Sequence, residues 1–282
     1  MPAHDRHDIV PQILFRTFRI GQGFLPENIR SVVKIGIQDF TILFPKKGIL
    51  IKKEELMQVA SHDKIIEEQI KRWQIDQKKK YKKPIRPVIT LSRLPGAGGK
   101  SIAQRLAEEL KIDLFDREIV EKIVESSKAS KWVVESLDEH DRSILNDWIR
   151  ALGENNMWSY EYLQHLTKVV GAIGAHGHAL IVGRGASFIL PQKVCLRLLV
   201  VAPLQTRIDN VAKAYGVSEA EAKRRVLLTE SARRAFIRQY FNADLMDPLN
   251  FDLVLNTNNL NIDTTVNIVK EAFNSREWYN HN

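Results

Sequence analysis

The sequence predicts an α/β fold: a parallel sheet with helices on both faces, plus a small N-terminal β-rich/α module. Three observations carry that reading. Apolar, β-branched runs alternate with helix-patterned segments from Val88 to about residue 275. The first of these runs leads into a glycine cluster and then a helix start, the order strand, tight loop, helix. The chain has 282 residues, enough for one large α/β domain and a smaller appendage.

Residues 1–80 read as the small module. Residues 31–37 have a strand pattern, and residues 40–44 and 49–51 flank Pro45-Lys46-Lys47-Gly48, a hairpin turn by its Pro and Gly. Residues 53–77 look helical, with Leu56, Val59, Ile65, Ile66, Ile70 and Trp73 as the apolar face. Residues 81–87 read as a basic linker, residues 88–275 as the α/β domain and residues 276–282 as a C-terminal tail. Strands are expected at 88–92, 112–115, 179–183, 194–201 and 252–256, with a long helical, polar stretch over 117–176.

The formal net charge of +8 is concentrated locally: between Ile70 and Pro87 stand eight Lys or Arg residues against the single acid Asp76. One segment is basic rather than the whole protein, so nucleic acid is not an expected partner, and the segment reads first as a solvated linker. Cys195 is the only cysteine, which fits a reducing compartment and excludes a disulfide within the chain. The first ten residues lack the apolar core of a signal peptide, and no apolar run is long enough to span a bilayer. A soluble cytoplasmic protein is expected, with self-association into a homo-oligomer left open.

The chemistry concentrates in residues 88–110. After Val88-Ile89-Thr90-Leu91-Ser92-Arg93 comes Leu94-Pro95-Gly96-Ala97-Gly98-Gly99-Lys100-Ser101, then a helical pattern. Such a loop aims backbone N–H groups at one spot, and the helix dipole adds positive potential there. Gly96, Ala97, Gly98 and Gly99 are the candidate cradle, Lys100 brings a full charge, and the Ser101 hydroxyl is placed for magnesium. The fold expected is therefore of the P-loop NTPase type. The common pattern Gly-x-x-x-x-Gly-Lys-Ser/Thr is met only at its end, because Leu94 stands where the first glycine belongs. The dinucleotide fingerprint is the rival: Gly96-Ala97-Gly98 starts it and Asp116 lies at a suitable distance. Its third small position is Ser101, preceded by a lysine, which favours mononucleotide phosphates.

Further along stand Phe115-Asp116-Arg117-Glu118-Ile119, Ile181-Val182-Gly183-Arg184-Gly185-Ala186, Ala202-Pro203-Leu204 with Arg207-Ile208, and Asp252-Leu253-Val254-Leu255-Asn256-Thr257. With Ser92-Arg93 and the glycine loop, these segments resemble the cytidylate-kinase-like family of P-loop kinases over roughly residues 88–275. The resemblance implies a core sheet, an acceptor-binding region and a mobile lid bearing arginines. The family usually has Arg-Glu where this chain has Lys100-Ser101, and an aspartate where this lid has Glu230, three residues before Arg233. Gly183-Arg184-Gly185 lacks the flanking aspartates of cytidylate kinases.

The resulting expectation is transfer of the γ-phosphoryl of ATP, with Mg2+, to a small phosphorylated acceptor. A nucleoside monophosphate is foremost, CMP first. Lys100, Asp116, Arg233 and Arg238 are the expected catalytic residues, and Arg184, Asp116 and Arg93 the expected acceptor contacts. Asp116 also reads as an N-cap. Arg184 between two glycines is free to grip a phosphate in bidentate fashion. Arg207 is expected at the border of the same pocket, while Arg224 and Arg225 read as surface. His176 and His178 read as loop residues, and Trp132, Trp148 and Trp158 as packing. Two other readings stand beside this one: a nucleotide-binding sensor without turnover, and a kinase of a non-nucleotide metabolite.

Overall fold

The computed structural model describes residues 41–44, 49–52, 64–73, 75, 87–153 and 161–276. They fall into two compact units, 1–61 and 62–282. The first contains a hairpin of β1 (Thr41–Phe44) and β2 (Ile49–Lys52), antiparallel with Thr41 opposite Lys52 and Phe44 opposite Ile49. That is the hairpin expected around Pro45–Gly48. The strand expected at 31–37, and Leu56 and Val59, lie outside the described residues.

The second unit is built on five parallel strands: β3 (Val88–Arg93), β4 (Asp113–Phe115), β5 (Ala179–Val182), β6 (Cys195–Val201) and β7 (Leu253–Asn256), in the spatial order β4-β5-β3-β6-β7. All five lie where the sequence predicts strands. Side chains of the central strands β3, β5 and β6 alternate between two buried faces, as a sheet covered on both sides requires, while the edge strands β4 and β7 are only partly buried. Ile89, Leu91, Leu198 and Val200 face one layer, formed by Ile102 and Leu106 of α2 (Gly99–Leu110) and Val266 and Val269 of α10 (Ile262–Ser275). Val88, Ile181 and Cys195 face the other. That layer comprises α3 (Arg117–Glu125), α4 (Ser127–Glu135), α5 (Glu139–Gly153) and α6 (Glu161–His176), which lie in the stretch expected to be helical. A short α7 (Ala186–Ile189) follows β5, and α8 (Leu204–Tyr215) and α9 (Glu219–Phe241) lie between β6 and β7. Asp116, Ser126, Ser218 and Asn261 each cap the helix that follows them, accepting a backbone N–H and satisfying one donor the helix start leaves open.

The boundary between units differs from the one expected at residue 80. Helix α1 (64–73) belongs to the second unit: Ile66, Ile70 and Trp73, at helical spacing, are buried in its core. Each such side chain contributes about 1.5–3 kcal/mol on burial, while Ile65 of the expected apolar face is exposed. Polar contacts fix the same helix, with Gln69 Nε2 and Arg72 Nη1 donating to the two oxygens of Asp113 at 2.7 and 2.8 Å. His176, expected in a loop, ends α6 and is buried. Its ring stacks on Trp73 at 3.9 Å and its Nε2 is 2.8 Å from Ser136 Oγ. Trp132 and Trp148 pack against the core as expected, and Trp158 lies outside the described residues. Arg276, first residue of the expected tail, is tied to Asp252 at 3.2 Å and to the carbonyls of Cys195 and Gln192. Burial pushes the Cys195 thiol up to about 12.

Candidate active site at the C-terminal edge of the sheet

In an open parallel sheet, ligands gather beyond the carboxyl ends of the strands. Here that edge has a glycine loop on the β3-β6-β7 side and a cluster of guanidinium groups on the β4-β5-β3 side.

The loop leaves β3 at Leu94, whose N–H is held by Val200 O of β6 at 2.9 Å. Gly96 takes φ +81°, and a Cβ there would collide with the main chain of Arg207. Only glycine fits that approach. Two side chains hold the loop's outer face: Asn210 Nδ2 donates to Gly96 O at 2.9 Å and Thr257 Oγ1 to Ala97 O at 3.1 Å. Gly98 is the N-cap of α2 and offers no side chain to the first turn, which contains no acid. The opening N–H groups of α2 are thus left for an outside acceptor, and their dipole favours an anion. Lys100 and Ser101 are exposed beside them.

The cluster opposite is assembled from four places in the chain. Arg93 ends β3, Arg117 begins α3 just after β4, Arg184 follows β5, and Arg233 stands midway along α9. Arg233 Nη1 donates to Arg93 O at 2.8 Å, bringing α9 onto the end of β3. Gly183 takes φ +80°, a conformation that side-chain-bearing residues rarely adopt, and Arg93 Nη1 lies against it. Arg184 itself sits at φ +54°, a conformation unusual for a non-glycine residue. Its turn is anchored from below, where Ser187 Oγ in α7 donates to Thr90 Oγ1 in β3 at 2.9 Å.

Burial, with neighbouring positive charge, lowers the guanidinium groups of Arg93, Arg184 and Arg233. Burial, then the charges of Arg93 and Arg117, bring the Arg233 guanidinium down to about 10, with Glu118 opposing. Burial, then Arg117, with Arg93 adding to it, brings Arg184 to about 10, again opposed by Glu118. Arg93 is lowered by burial and Arg117, while Glu118 and Asp116 pull it back. Crowded, half-desolvated positive charge of this kind is costly without an anion.

The expected site residues divide accordingly. Arg93, Arg184 and Arg233 come together. Asp116 lies at the rim and caps α3, its Oδ1 accepting Ile119 N–H at 2.9 Å. Arg238 is exposed and does not share Arg233's face of α9: five residues on is about 140° round the helix. Glu230 pairs with buried Arg207 at 2.9 Å, and Arg207 Nε donates to Ala202 O, so this pair joins α9 to α8. Arg224 and Arg225 are exposed and pair with Glu221. Arg117, Glu121, Tyr162, Asn210 and Thr257 are site residues that the sequence reading did not single out. Arg117 and Thr257 stand inside the segments quoted at two strand ends, which was the available signal, but neither was given a role. Asn210 carried none.

The residues present fit a nucleoside triphosphate and its magnesium. The uncapped start of α2, with Lys100, suits a polyphosphate. Among the described residues no group of three or more His, Cys, Asp or Glu could hold a metal. The Ser101 hydroxyl suits an ion ligated chiefly by phosphate and water, as magnesium commonly is. No helix among the described residues is long and apolar enough to cross a membrane.

The chain is 26% identical over 194 residues to a cytidylate kinase of Methanopyrus kandleri, covering 66% of this chain and 92% of the relative. It is 24% identical over 184 residues to a cytidylate kinase of Staphylothermus marinus, covering 65% and 94%. A crystal structure of an uncharacterized protein from Eubacterium ventriosum superposes with a TM-score of 0.54 at 19% identity, covering 68% of this chain and 99% of the other, and so shares the fold. The model of the cytidylate kinase-like family matches residues 88–259, from the first strand of the sheet to just past its last. The sheet order, the glycine loop and this match agree: the chain belongs to the cytidylate kinase-like family.

Proposed function

We propose that the protein is a kinase that transfers the γ-phosphoryl group of ATP to a nucleoside monophosphate, with CMP the leading acceptor. The observation that carries this reading is the cluster of Arg93, Arg117, Arg184 and Arg233 across β3 from a glycine loop with an uncapped helix start. Two anion sites at one sheet edge suit a donor polyphosphate and an acceptor phosphate. CMP rests on the cytidylate kinases among the relatives.

In this mechanism the N–H groups opening α2 and the Lys100 ammonium hold the β- and γ-phosphates. Ser101 would take part in holding magnesium, which would neutralise charge on those phosphates. Arg93, Arg117 and Arg184 dock the acceptor phosphate. One of its oxygens bonds to the γ-phosphorus as the bond to the bridging oxygen of ADP breaks. Phosphoryl transfer asks mainly for alignment and charge stabilisation, so a protein rich in fixed cations is suited to it. Arg233, on α9, is the arginine placed to follow the transferred group. Asp116 borders the acceptor and offers it a carboxylate oxygen, and would help hold magnesium if the ion were bound, while Arg238 stays on the outer face of α9.

The test is to mix the protein with Mg-ATP and each nucleoside monophosphate and to follow ADP and nucleoside diphosphate. CMP-dependent formation of both is expected, at the highest kcat/KM of the series. ATP binding without acceptor-dependent ADP would sink the proposal and leave a nucleotide sensor. Turnover confined to a non-nucleotide acceptor would replace the substrate class.

A further inference from the structure

Glu121 in α3 lies one helical turn after Arg117 and bridges two cations of the cluster. Its Oε2 accepts from Arg117 Nε at 3.2 Å, and its Oε1 accepts from Arg184 Nη2. Arg184 Nη1 in turn donates to the Tyr162 hydroxyl at 3.3 Å. The contact with Arg184 is not a loose surface pair, since the two side chains are only 13% and 29% exposed. Arg184 Nε is buried and meets no acceptor.

A carboxylate spanning two guanidinium groups presents the same kind of edge as a phosphate: two anionic oxygens facing planar donors. It differs in carrying one charge rather than nearly two, and two oxygens rather than three. One donor of Arg184 is correspondingly left over. Arg184 is the cation around which the proposed acceptor site is built, so an acceptor phosphate and the Glu121 carboxylate need the same N–H groups.

We infer that Glu121 is a resident counter-ion of the acceptor site, occupying Arg117 and Arg184 in the resting protein and giving them up to the acceptor phosphate. It lowers the affinity of the site for phosphate alone. An acceptor then has to supply further contacts through the rest of the molecule, so free inorganic phosphate does not block the site. This inference deepens the proposed function and rests on it for the identity of the incoming anion.

The experiment compares the full-length protein with Glu121→Gln, which keeps the size, deletes the charge and leaves one acceptor oxygen in place of two. Inorganic phosphate binding is measured by calorimetry, and kcat and KM are measured for CMP and for ATP. Expected for Glu121→Gln are inorganic phosphate binding tighter by about tenfold, a lower KM for CMP and an unchanged KM for ATP. Glu121→Asp, too short to span both arginines, should fall between the two and serves as the second variant if Glu121→Gln folds poorly. Unchanged or weaker phosphate binding, or a raised KM for CMP, would overturn the inference and make Glu121 a strut that orients Arg184. Equal tightening by Tyr162→Phe, which removes a partner of Arg184 without removing charge, would overturn it as well. Phosphate calorimetry needs no turnover, so the two failures are distinguishable. Tighter phosphate binding in a protein that phosphorylates no monophosphate removes the proposed function alone. Turnover of CMP with unchanged phosphate affinity removes this inference alone.

Discussion

The two halves of the sheet's C-terminal edge, on either side of β3, are held by different physics. On the β6-β7 side the loop is fixed by neutral contacts: Asn210 to Gly96 O, Thr257 to Ala97 O, and the Arg207 main chain packed against Gly96. On the β4-β5 side four arginines are held near one another, two of them with guanidinium groups brought down to about 10. The first half is shaped before a ligand arrives. The second carries a strain of charge that a ligand relieves. Substitutions should therefore behave differently on the two sides: geometric and insensitive to salt in the loop, electrostatic and screened by salt in the cluster.

The largest effect is expected in the loop. Gly96→Val places a branched side chain at φ +81° and into the Arg207 backbone, which cannot yield without moving α8. ATP binding and turnover should both fall by three or more powers of ten, about 4 kcal/mol, at low and at high salt. Calorimetry with ATP, alongside circular dichroism to verify folding, checks this. Near-normal ATP affinity in a folded variant would remove the loop from donor binding. Lys100→Ala, in the same half, should cost about two powers of ten in kcat with a smaller change in ATP affinity.

Arg184→Ala comes next. It should raise the KM for CMP at least tenfold, about 1.4 kcal/mol, and leave the KM for ATP within a factor of two or so. Equal effects on both constants would mean that the cluster does not divide acceptor from donor. The effect should shrink as salt rises, since the lost interaction is Coulombic.

Arg233→Met separates stability from activity. The Arg233 guanidinium stands lower in the folded protein than in the unfolded chain, so folding favours its neutral form. Between about pH 10 and its ordinary range the unfolded chain binds more protons, and stability rises with pH through that window. Below it both states are charged, and the full cost of the buried cation is present. Met, which keeps much of the apolar length, removes that cost. The melting temperature near pH 8 should rise while kcat falls by an order of magnitude or more, about 1.4 kcal/mol. A lower melting temperature would show that the bond from Arg233 to Arg93 O outweighs the repulsion.

How much of this was legible in the sequence follows from how local each feature is. The loop was, because Gly96 and Gly98 have to carry its left-handed turns and stand beside each other in the chain. The central strands β3, β5 and β6 were, because a strand buried on both faces leaves a largely apolar run, and the edge strands β4 and β7 were read from shorter runs. The cluster was legible only in part. Arg93, Arg184 and Arg233 were carried over from a family resemblance, whereas Arg117 joins them only once β4 is seen to lie beside β5. Glu121 was within reach as the i+4 partner of Arg117. The division at residue 80 was misplaced because the lysines of 78–83 resemble a linker. The stronger signal was the stripe Ile66, Ile70, Trp73, which needs a surface to cover it. His176 was read as a loop residue from its neighbour Gly177, although it completes the last turn of a 16-residue helix.

The smallest effect sharpens the contrast most, because it measures the neutral half without touching a ligand group. Thr257 stands one residue past β7, and its hydroxyl donates to Ala97 O at 3.1 Å or to Val201 O at 3.2 Å. Thr257→Val keeps the branched shape and removes the donor. The carbonyl of Ala97 then loses one partner at a partly buried position, worth about 1 kcal/mol. Urea unfolding should register that loss equally in low and high salt, because no net charge is involved. A loss that disappears in high salt would mean that the loop, like the cluster, is held by charge, and the two halves would no longer differ in kind.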